Sequence, residues 1–156
     1  MRIVDLTAGD RAIWFNKDHP LAVFVDIRES VEPTFVMDAK ATCLADDHFD
    51  LVVFDPPHVN FGKNGKMSKN YGHHTTKEIK ELIAGVSKEA HRISKHNGLM
   101  AFKWNDHDQK IEKVLAMMPH WEPLFGHVVS ARKATRANKT YWVMLRRRPT
   151  TPGGDK

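Results

Sequence analysis

The chain of 156 residues contains a single cysteine, Cys43. One thiol cannot form an intramolecular disulfide and has no second cysteine for a thiolate metal site, which indicates a reducing compartment. Long hydrophobic runs are missing as well, because no apolar stretch approaches the roughly 20 residues that span a bilayer. The first residues also lack the length and cleavage site of a secretory signal. We therefore expect a cytoplasmic protein, in a host cytoplasm if a phage encodes it.

Metal-ligand patterns and a balance of charge are also lacking. The ten histidines include His73-His74 and the pair His91 and His96, but no acid or cysteine supports them at ligand spacing, so we predict no metal. Acidic residues are outnumbered, with 19 Asp and Glu against 24 Lys and Arg and a net charge of +5. A basic surplus favours a polyanionic partner through counterion release, although many basic proteins have none. The basic residues are concentrated late in the chain, at Arg132, Lys133, Arg136, Lys139 and 146–148.

The remaining composition is ordinary for a soluble globular protein, with 41% hydrophobic and 28% charged residues. This length fits one domain with a substantial core. We predict a single domain over residues 1–149 and a disordered tail over residues 150–156.

The first half of the chain predicts four short strands that each lead to a carboxylate. These strands cover residues 1–6, 22–26, 34–37 and 50–54. A turn at 7–10 and a helix of about two turns at 11–17 follow the first strand. Strands alternating with helices favour a mostly parallel, doubly wound α/β sheet. The connection from Asp26 to Thr34 is short for a parallel crossover, so either its helix is vestigial or the third strand is misplaced.

The second half predicts two helices and three strands. Thr75 and Glu78 form a capping-box signature for a helix with apolar residues on one face as far as Ile93, and Asn97-Gly98 resembles its αL cap. The further predictions are a strand at 99–104, a helix at 106–118, and an antiparallel pair of strands at 121–129 and 141–145. The long loop at 59–74 lacks periodicity and follows the fourth strand as a substrate lid would.

The most informative motif is Asp55-Pro56-Pro57-His58, directly after the buried fourth strand. Ligands of open α/β sheets bind outside the carboxyl ends of the strands. The two prolines offer carbonyls but no N–H donors. The Asp55 carboxylate and the Pro56 carbonyl can therefore each accept one hydrogen of a substrate amino group, and His58 offers a flat ring to a flat base. An ordinary strand-ending turn is the alternative interpretation of the motif alone.

The turn after the first strand carries only one glycine, Gly9, instead of a three-glycine dinucleotide fingerprint. A pyrophosphate needs those glycines, which disfavours a nicotinamide cofactor. Asp26 ends the second strand, where an acid can hold ribose hydroxyls. S-adenosylmethionine has a ribose and an adenine but no phosphates, so Asp26 would suit its ribose and Asp38 its adenine.

Together these residues resemble the class I S-adenosylmethionine-dependent methyltransferases, in particular the Asp-Pro-Pro-aromatic group that modifies N6 of adenine or N4 of cytosine. The resemblance covers nearly the whole folded chain and implies a Rossmann-like, mostly parallel sheet with an antiparallel C-terminal hairpin and few helices. The leading Asp55 favours the adenine branch. The stretches 11–17, 102–105 and 124–127 are similar to small methyltransferases of phages and prophages.

The resemblance implies the catalytic and cofactor-binding residues, and chain position and charge indicate a third set that would bind the substrate. The catalytic residues would be Asp55, Pro56, Pro57 and His58. The residues binding S-adenosyl-L-methionine would be Asp5, Thr7, Ala8, Gly9, Asp26, Ile27, Asp38, Ala39 and Asp55. The substrate-binding residues would be Asn60, Lys103, Trp104, Asn105, His127, Arg132, Lys133 and Lys139. For Trp104 a plain core position is the alternative, and for His127 and Lys139 the alternative is a solvated hairpin.

Two departures from the family pattern affect its partners. His58 replaces the usual Tyr, Phe or Trp, and the chain has no room for a separate target-recognition domain. Sequence specificity would then be slight, would come from a homodimer or a partner subunit, or would come from the loop 59–74 and the basic segment near Arg132. The expected partner is a nucleic acid, with DNA ahead of RNA, and no membrane is expected.

The predicted activity is direct transfer of a methyl group to an exocyclic amine of a base, with N6 of adenine first. The alternatives are another amine, at cytosine N4, RNA guanine N2 or a protein amide, and a catalytically silent nucleic-acid-binding subunit with the same fold.

Overall fold

The structure is a computed structural model that describes residues 1–57, 75–130 and 139–149. The loop predicted at 59–74 and the tail predicted at 150–156 therefore lie outside the described residues. So do four of the predicted site residues, His58, Asn60, Arg132 and Lys133.

The described residues form one mixed sheet of seven strands in the order β3-β2-β1-β4-β5-β7-β6. The strands are β1 Ile3–Asp5, β2 Ala22–Asp26, β3 Phe35–Val36, β4 Phe49–Phe54, β5 Ser94–Asn105, β6 Trp121–Ser130 and β7 Lys139–Arg147. The helices are α1 Thr76–Ile93 and α2 Ile111–Leu115. Strands β1 to β5 pair in parallel, whereas β7 is antiparallel to both β5 and β6. This confirms the predicted fold class.

Helix α1 packs its apolar face on the sheet. Ile79, Ile83 and Val86 lie on that face and are buried in the same core as Phe54 and Phe102. The helix begins as predicted, because Thr75 Oγ1 accepts from the Glu78 N–H at 3.2 Å and Glu78 Oε2 accepts from the Thr75 N–H at 2.6 Å. Among the described residues, neither this helix nor α2 is long and apolar enough to cross a membrane.

The predicted αL cap at Asn97-Gly98 is wrong. The helix ends at Ile93, and the extended residue Ser94 already belongs to β5. Gly98 instead lies where the register between β4 and β5 is irregular. A Cβ on Gly98 would lie 2.8 Å from both the Lys95 carbonyl oxygen and the Ser94 Cβ. The glycine therefore permits a close approach of the backbone rather than a left-handed cap.

The helix predicted at 11–17 is also wrong. Arg11 has a φ of 53° and is followed by turns. Its guanidinium donates to the carbonyls of Lys17 at 2.8 Å and Glu32 at 2.7 Å, and the Trp14 indole N–H donates to Asp5 at 2.8 Å. These tertiary hydrogen bonds outweigh the weak helical propensity of a short segment.

Two other elements are shorter than predicted. The predicted helix at 106–118 is reduced to α2, because Asp106 extends the ladder: its N–H donates to the Lys139 carbonyl at 3.0 Å and its Oδ1 accepts from the Lys139 N–H at 2.7 Å. The third strand is present as β3, parallel to β2. A single 3₁₀ turn, Glu29–Val31, connects them, so the crossover helix is the vestigial element.

Candidate active site

A cavity of about 600 Å³ lies at the carboxyl ends of the parallel strands β1, β2 and β4. These ends meet at one edge of the sheet, which is where ligands of open α/β sheets bind. The predicted residues that line the cavity are Thr7, Ala8, Gly9, Asp26, Ile27, Asp38, Ala39, Asp55, Pro56, Pro57 and Lys103. Residues that are far apart in the sequence are therefore brought together by the topology.

Asp5 stabilises the loop between β1 and the cavity. Its side chain accepts hydrogen bonds from the Thr7 N–H at 3.1 Å and the Trp14 indole N–H at 2.8 Å. Burial raises the pKa of this carboxyl to about 6, although both hydrogen bonds act to lower it. Asp5 was predicted to contact the cofactor, but it is only 1% exposed and does not line the cavity, so its role in this structure is to shape the loop.

Asp26 lies at the end of β2, at the position predicted for a ribose-binding acid, and is buried. Its Oδ2 accepts from the Gly9 N–H at 2.9 Å, and Gly9 has the positive φ of 50° that this turn requires. The Arg28 side chain donates to Oδ1 at 3.0 Å through Nε and to Oδ2 at 3.1 Å through Nη2. Burial acts to raise the pKa of Asp26, but the hydrogen bonds from Arg28 and Gly9 outweigh it and lower the pKa. A ribose bound here has to compete with the guanidinium.

The wall beyond β2 combines apolar and acidic side chains. Ile27 is 69% exposed, and Ala39 is buried. Asp38 accepts a hydrogen bond from the Lys40 N–H at 2.9 Å and lies 3.6 Å from the Lys40 Nζ. An apolar surface next to a carboxylate suits a flat heterocycle that carries an amino group.

Asp55 joins the loops that follow β1 and β4. Its backbone N–H donates to Thr7 Oγ1 at 2.9 Å. Its Oδ2 accepts from Lys103 Nζ at 2.7 Å, and the side chains of this pair are only 20% and 24% exposed. Pro56 is buried and Pro57 is half-buried, and both line the cavity. Asp55 and Lys103 therefore form an ion pair that faces the cavity, with the carboxylate as the acceptor and the ammonium as the donor.

The other predicted substrate residues that the structure describes do not line this cavity. The prediction that Trp104 binds the substrate is corrected to the alternative, a core position. Its side chain is fully buried, and its indole N–H donates to the Gln109 carbonyl at 2.8 Å. Asn105 donates to Thr140 Oγ1 at 2.9 Å and so ties β5 to β7. His127 is exposed on β6, and Lys139 is exposed at the start of β7.

Several cavity residues were missed by the sequence analysis. Arg28 covers Asp26, and Glu78, Glu81 and Leu82 line the cavity from the first turns of α1. The position of Arg28, two residues after the ribose acid, was the available signal. Glu78 and Glu81 gave none, because the polar face of a helix predicts only contact with solvent, and Leu82 gave none, because the apolar face predicts only packing on the core.

No protein-family model and no curated protein sequence matches the chain. Solved structures do match it. The PH0226 protein from Pyrococcus horikoshii OT3 superimposes with a TM-score of 0.67 at 16% identity, over 94% of this chain and 82% of the other. An S-adenosylmethionine-dependent methyltransferase from Methanosarcina mazei has a TM-score of 0.63 at 11% identity, over 96% of this chain and 93% of the other. The N-methyltransferase NodS from Bradyrhizobium japonicum WM9, in complex with S-adenosyl-L-homocysteine, gives 0.63 at 12% identity, over 94% and 77%. The chain has the fold of the S-adenosylmethionine-dependent methyltransferases.

Proposed function

We propose that the protein is an S-adenosylmethionine-dependent methyltransferase that methylates an exocyclic amino group of a nucleic-acid base, with N6 of adenine as the first target. The observation that carries this proposal is the position of Asp55. It follows a central parallel strand, is followed by two prolines and faces the same cavity as Asp26. The methyltransferase fold of the neighbouring structures supports the class of reaction.

The residues of the cavity fit S-adenosylmethionine, which supplies an electrophilic methyl group on a sulfonium. Asp26 would accept hydrogen bonds from the ribose hydroxyls once Arg28 gives way. Ile27 and Ala39 would pack against the adenine, and Asp38 would accept a hydrogen bond from its amino group. The turn at Gly9 lets the cofactor approach the backbone, and the cavity of about 600 Å³ is of the size usual for small-molecule sites.

Asp55 and Pro56 position the amine that receives the methyl group. The lone pair of the amine is conjugated into the base, so the nitrogen has to rehybridise before it can attack. The Asp55 carboxylate and the Pro56 carbonyl would each accept one amine hydrogen and hold that geometry. The methyl group that S-adenosylmethionine would supply would pass to the nitrogen in line, and the electron pair of the broken carbon–sulfur bond would stay on sulfur. The proton that the amine loses passes through the Asp55 carboxylate to solvent.

The net charge of +5 supports a nucleic acid as the carrier of the base. A duplex would have to flip the base out at a cost of about a few kcal/mol, whereas a single strand avoids most of that cost. We place DNA ahead of RNA. His58 would stack on the base, and a second copy or a partner subunit would supply sequence recognition.

One observation favours a second candidate, a catalytically silent nucleic-acid-binding subunit. The guanidinium of Arg28 already satisfies both oxygens of Asp26. A chain that no longer binds cofactor would keep such a pair. Calorimetry with S-adenosylmethionine identifies a silent subunit of this kind, which would bind none, and cofactor binding without methyl transfer would also favour a silent subunit.

The test of the proposed function uses methyl-labelled S-adenosylmethionine with separate pools of duplex DNA, single-stranded DNA and RNA. Each pool is digested, and the labelled nucleosides are identified by mass spectrometry. We expect label in N6-methyladenine. Asp55→Ala should abolish transfer while cofactor affinity stays within a few-fold, and the exposed Glu112→Ala on α2 serves as the matched control. Full activity of Asp55→Ala, or label in no base despite bound cofactor, would refute the proposal.

A further inference from the structure

We infer that Lys103 recognises the ring nitrogen next to the target amine, which is N1 when the target is adenine. The inference rests on the proposed function and specifies the chemistry of its substrate: an amino group on a carbon that also carries an unprotonated ring nitrogen. Adenine presents this pair at N6 and N1, and cytosine presents it at N4 and N3.

The sheet brings Lys103 to Asp55 by its register. Phe54 of β4 pairs with Phe102 of β5 in parallel, so the next residues on the two strands are neighbours at the edge that carries the cavity. Lys103 Nζ lies 2.7 Å from Asp55 Oδ2. An ammonium group has three donors, and among the described residues only Asp55 accepts a hydrogen bond from it. Donors therefore remain for a ligand in the cavity.

Trp142 limits where the ammonium group can lie. It is the register partner of Lys103 on the antiparallel strand β7, and its ring centroid lies 5.8 Å from Lys103 Nζ. A cation at this distance from an indole is attracted to the ring. The ammonium is thus held between a carboxylate and an aromatic ring, which reduces the entropy lost when it binds a ligand.

This pair complements the edge of an amino-substituted heterocycle. Asp55 accepts a hydrogen from the amine, and Lys103 donates a hydrogen to the adjacent ring nitrogen. With the hydrogen bond between Asp55 and Lys103 the network closes into a ring, in which the amine hydrogen and the ring nitrogen each have a partner. The pair carries no net charge, so covering it with a neutral base desolvates no uncompensated charge. A lysine that only neutralised Asp55 would be indifferent to the ring nitrogen.

The contact should act in binding rather than in the chemical step. A donor at N1 draws electron density from the ring and therefore from the conjugated amine, which does not make the amine a better nucleophile. Its benefit is the selection and orientation of the base. We therefore expect loss of this contact to raise KM and the dissociation constant, with little change in kcat.

The experiment compares three single-stranded DNA oligonucleotides that differ only at the target adenine: adenine, 1-deazaadenine and 7-deazaadenine. The 1-deaza base lacks the N1 acceptor, and the 7-deaza base is the matched control because it keeps N1. Binding is measured by fluorescence anisotropy with S-adenosyl-L-homocysteine present, and methyl transfer is measured by incorporation of label. The enzymes are the wild type, Lys103→Met and Lys103→Arg.

For the wild type we expect the 1-deaza base to bind roughly ten- to a hundredfold more weakly, as for loss of a hydrogen bond to a charged group, with the 7-deaza base close to adenine. Lys103→Met should bind adenine and 1-deazaadenine equally, and Lys103→Arg should restore part of the preference. The comparison within each enzyme cancels any effect of leaving Asp55 unpaired.

Suppose that methyl transfer occurs and that the weaker binding of the 1-deaza base persists unchanged in Lys103→Met. This result would overturn the assignment of Lys103 and leave the proposed function intact. A penalty in binding that disappears in Lys103→Met, without methyl transfer to any base, would support Lys103 and refute the proposed function. If the wild type showed no 1-deaza penalty in binding and no methyl transfer, both the assignment of Lys103 and the proposed function would be refuted.

Discussion

Replacing Asp5 with Asn should change how the free energy of unfolding depends on pH. Asp5 is 1% exposed, and burial raises its pKa from 3.8 to about 6. Between these two values the folded state binds a proton that the unfolded state does not. Stability that comes from this proton is therefore present at low pH and is lost as pH rises through about 6.

The size of the effect follows from the two pKa values. The difference of about two units corresponds to roughly 3 kcal/mol between the fully protonated and fully ionised limits. Only part of this free energy is gained between pH 7 and pH 5. Titration of Asp5 should raise the free energy of unfolding of the wild type by about 1 kcal/mol from pH 7 to pH 5. Asn cannot titrate, so Asp5→Asn should lack this contribution.

The absolute stability at pH 7 is a poor readout of the same substitution. Asn removes a buried charge, but its single carbonyl oxygen cannot accept from both the Thr7 N–H and the Trp14 indole, and its amide group would face one of these donors. The gain and the loss act in opposite directions. The pH dependence is diagnostic, because Asn removes the titration whatever happens to the hydrogen bonds.

The assay is urea unfolding at pH 5 and pH 7 for the wild type, Asp5→Asn and the exposed control Asp10→Asn. His91 acts in the opposite direction, since burial lowers its pKa and stability that depends on the neutral ring is lost as pH falls. The difference between variant and wild type removes this common background. If Asp5→Asn and the wild type changed by the same amount between the two pH values, the reasoning about Asp5 would be refuted.

The remaining predictions concern the cavity and the sheet. Arg28→Ala should bind S-adenosylmethionine roughly tenfold more tightly, because the ribose no longer competes for Asp26 with a charged donor. Calorimetry measures the affinity, with the exposed Arg146→Ala as the control. Weaker binding by Arg28→Ala would contradict the prediction. Gly98→Ala should destabilise the protein by about 1–3 kcal/mol in urea unfolding, because the new Cβ meets backbone at 2.8 Å. Asn97→Ala, at the exposed neighbouring position, is its control, and an equal loss there would argue against a local clash.

The elements that the sequence predicted well are those specified by local interactions. The capping box at Thr75 and Glu78, together with the apolar face of α1, depends on contacts within a few turns of one helix. Strand β2 was predicted with its observed bounds, because an apolar run of that length has few alternatives. The segment 11–17 was predicted wrongly, because its conformation depends on Asp5 and Glu32, which lie outside it.

For the site, the sequence by itself determined which side chains follow the strands: Gly9 after β1, Asp26 at the end of β2 and Asp55 after β4. A parallel sheet brings such residues to one edge, so their proximity could be predicted from the order of the elements. The tertiary structure alone decided their partners. Lys103 pairs with Asp55 because β5 lies beside β4, and Asp26 is covered because the Arg28 side chain folds back on it. Such pairs depend on strand register and on side-chain conformation, neither of which a local sequence pattern encodes.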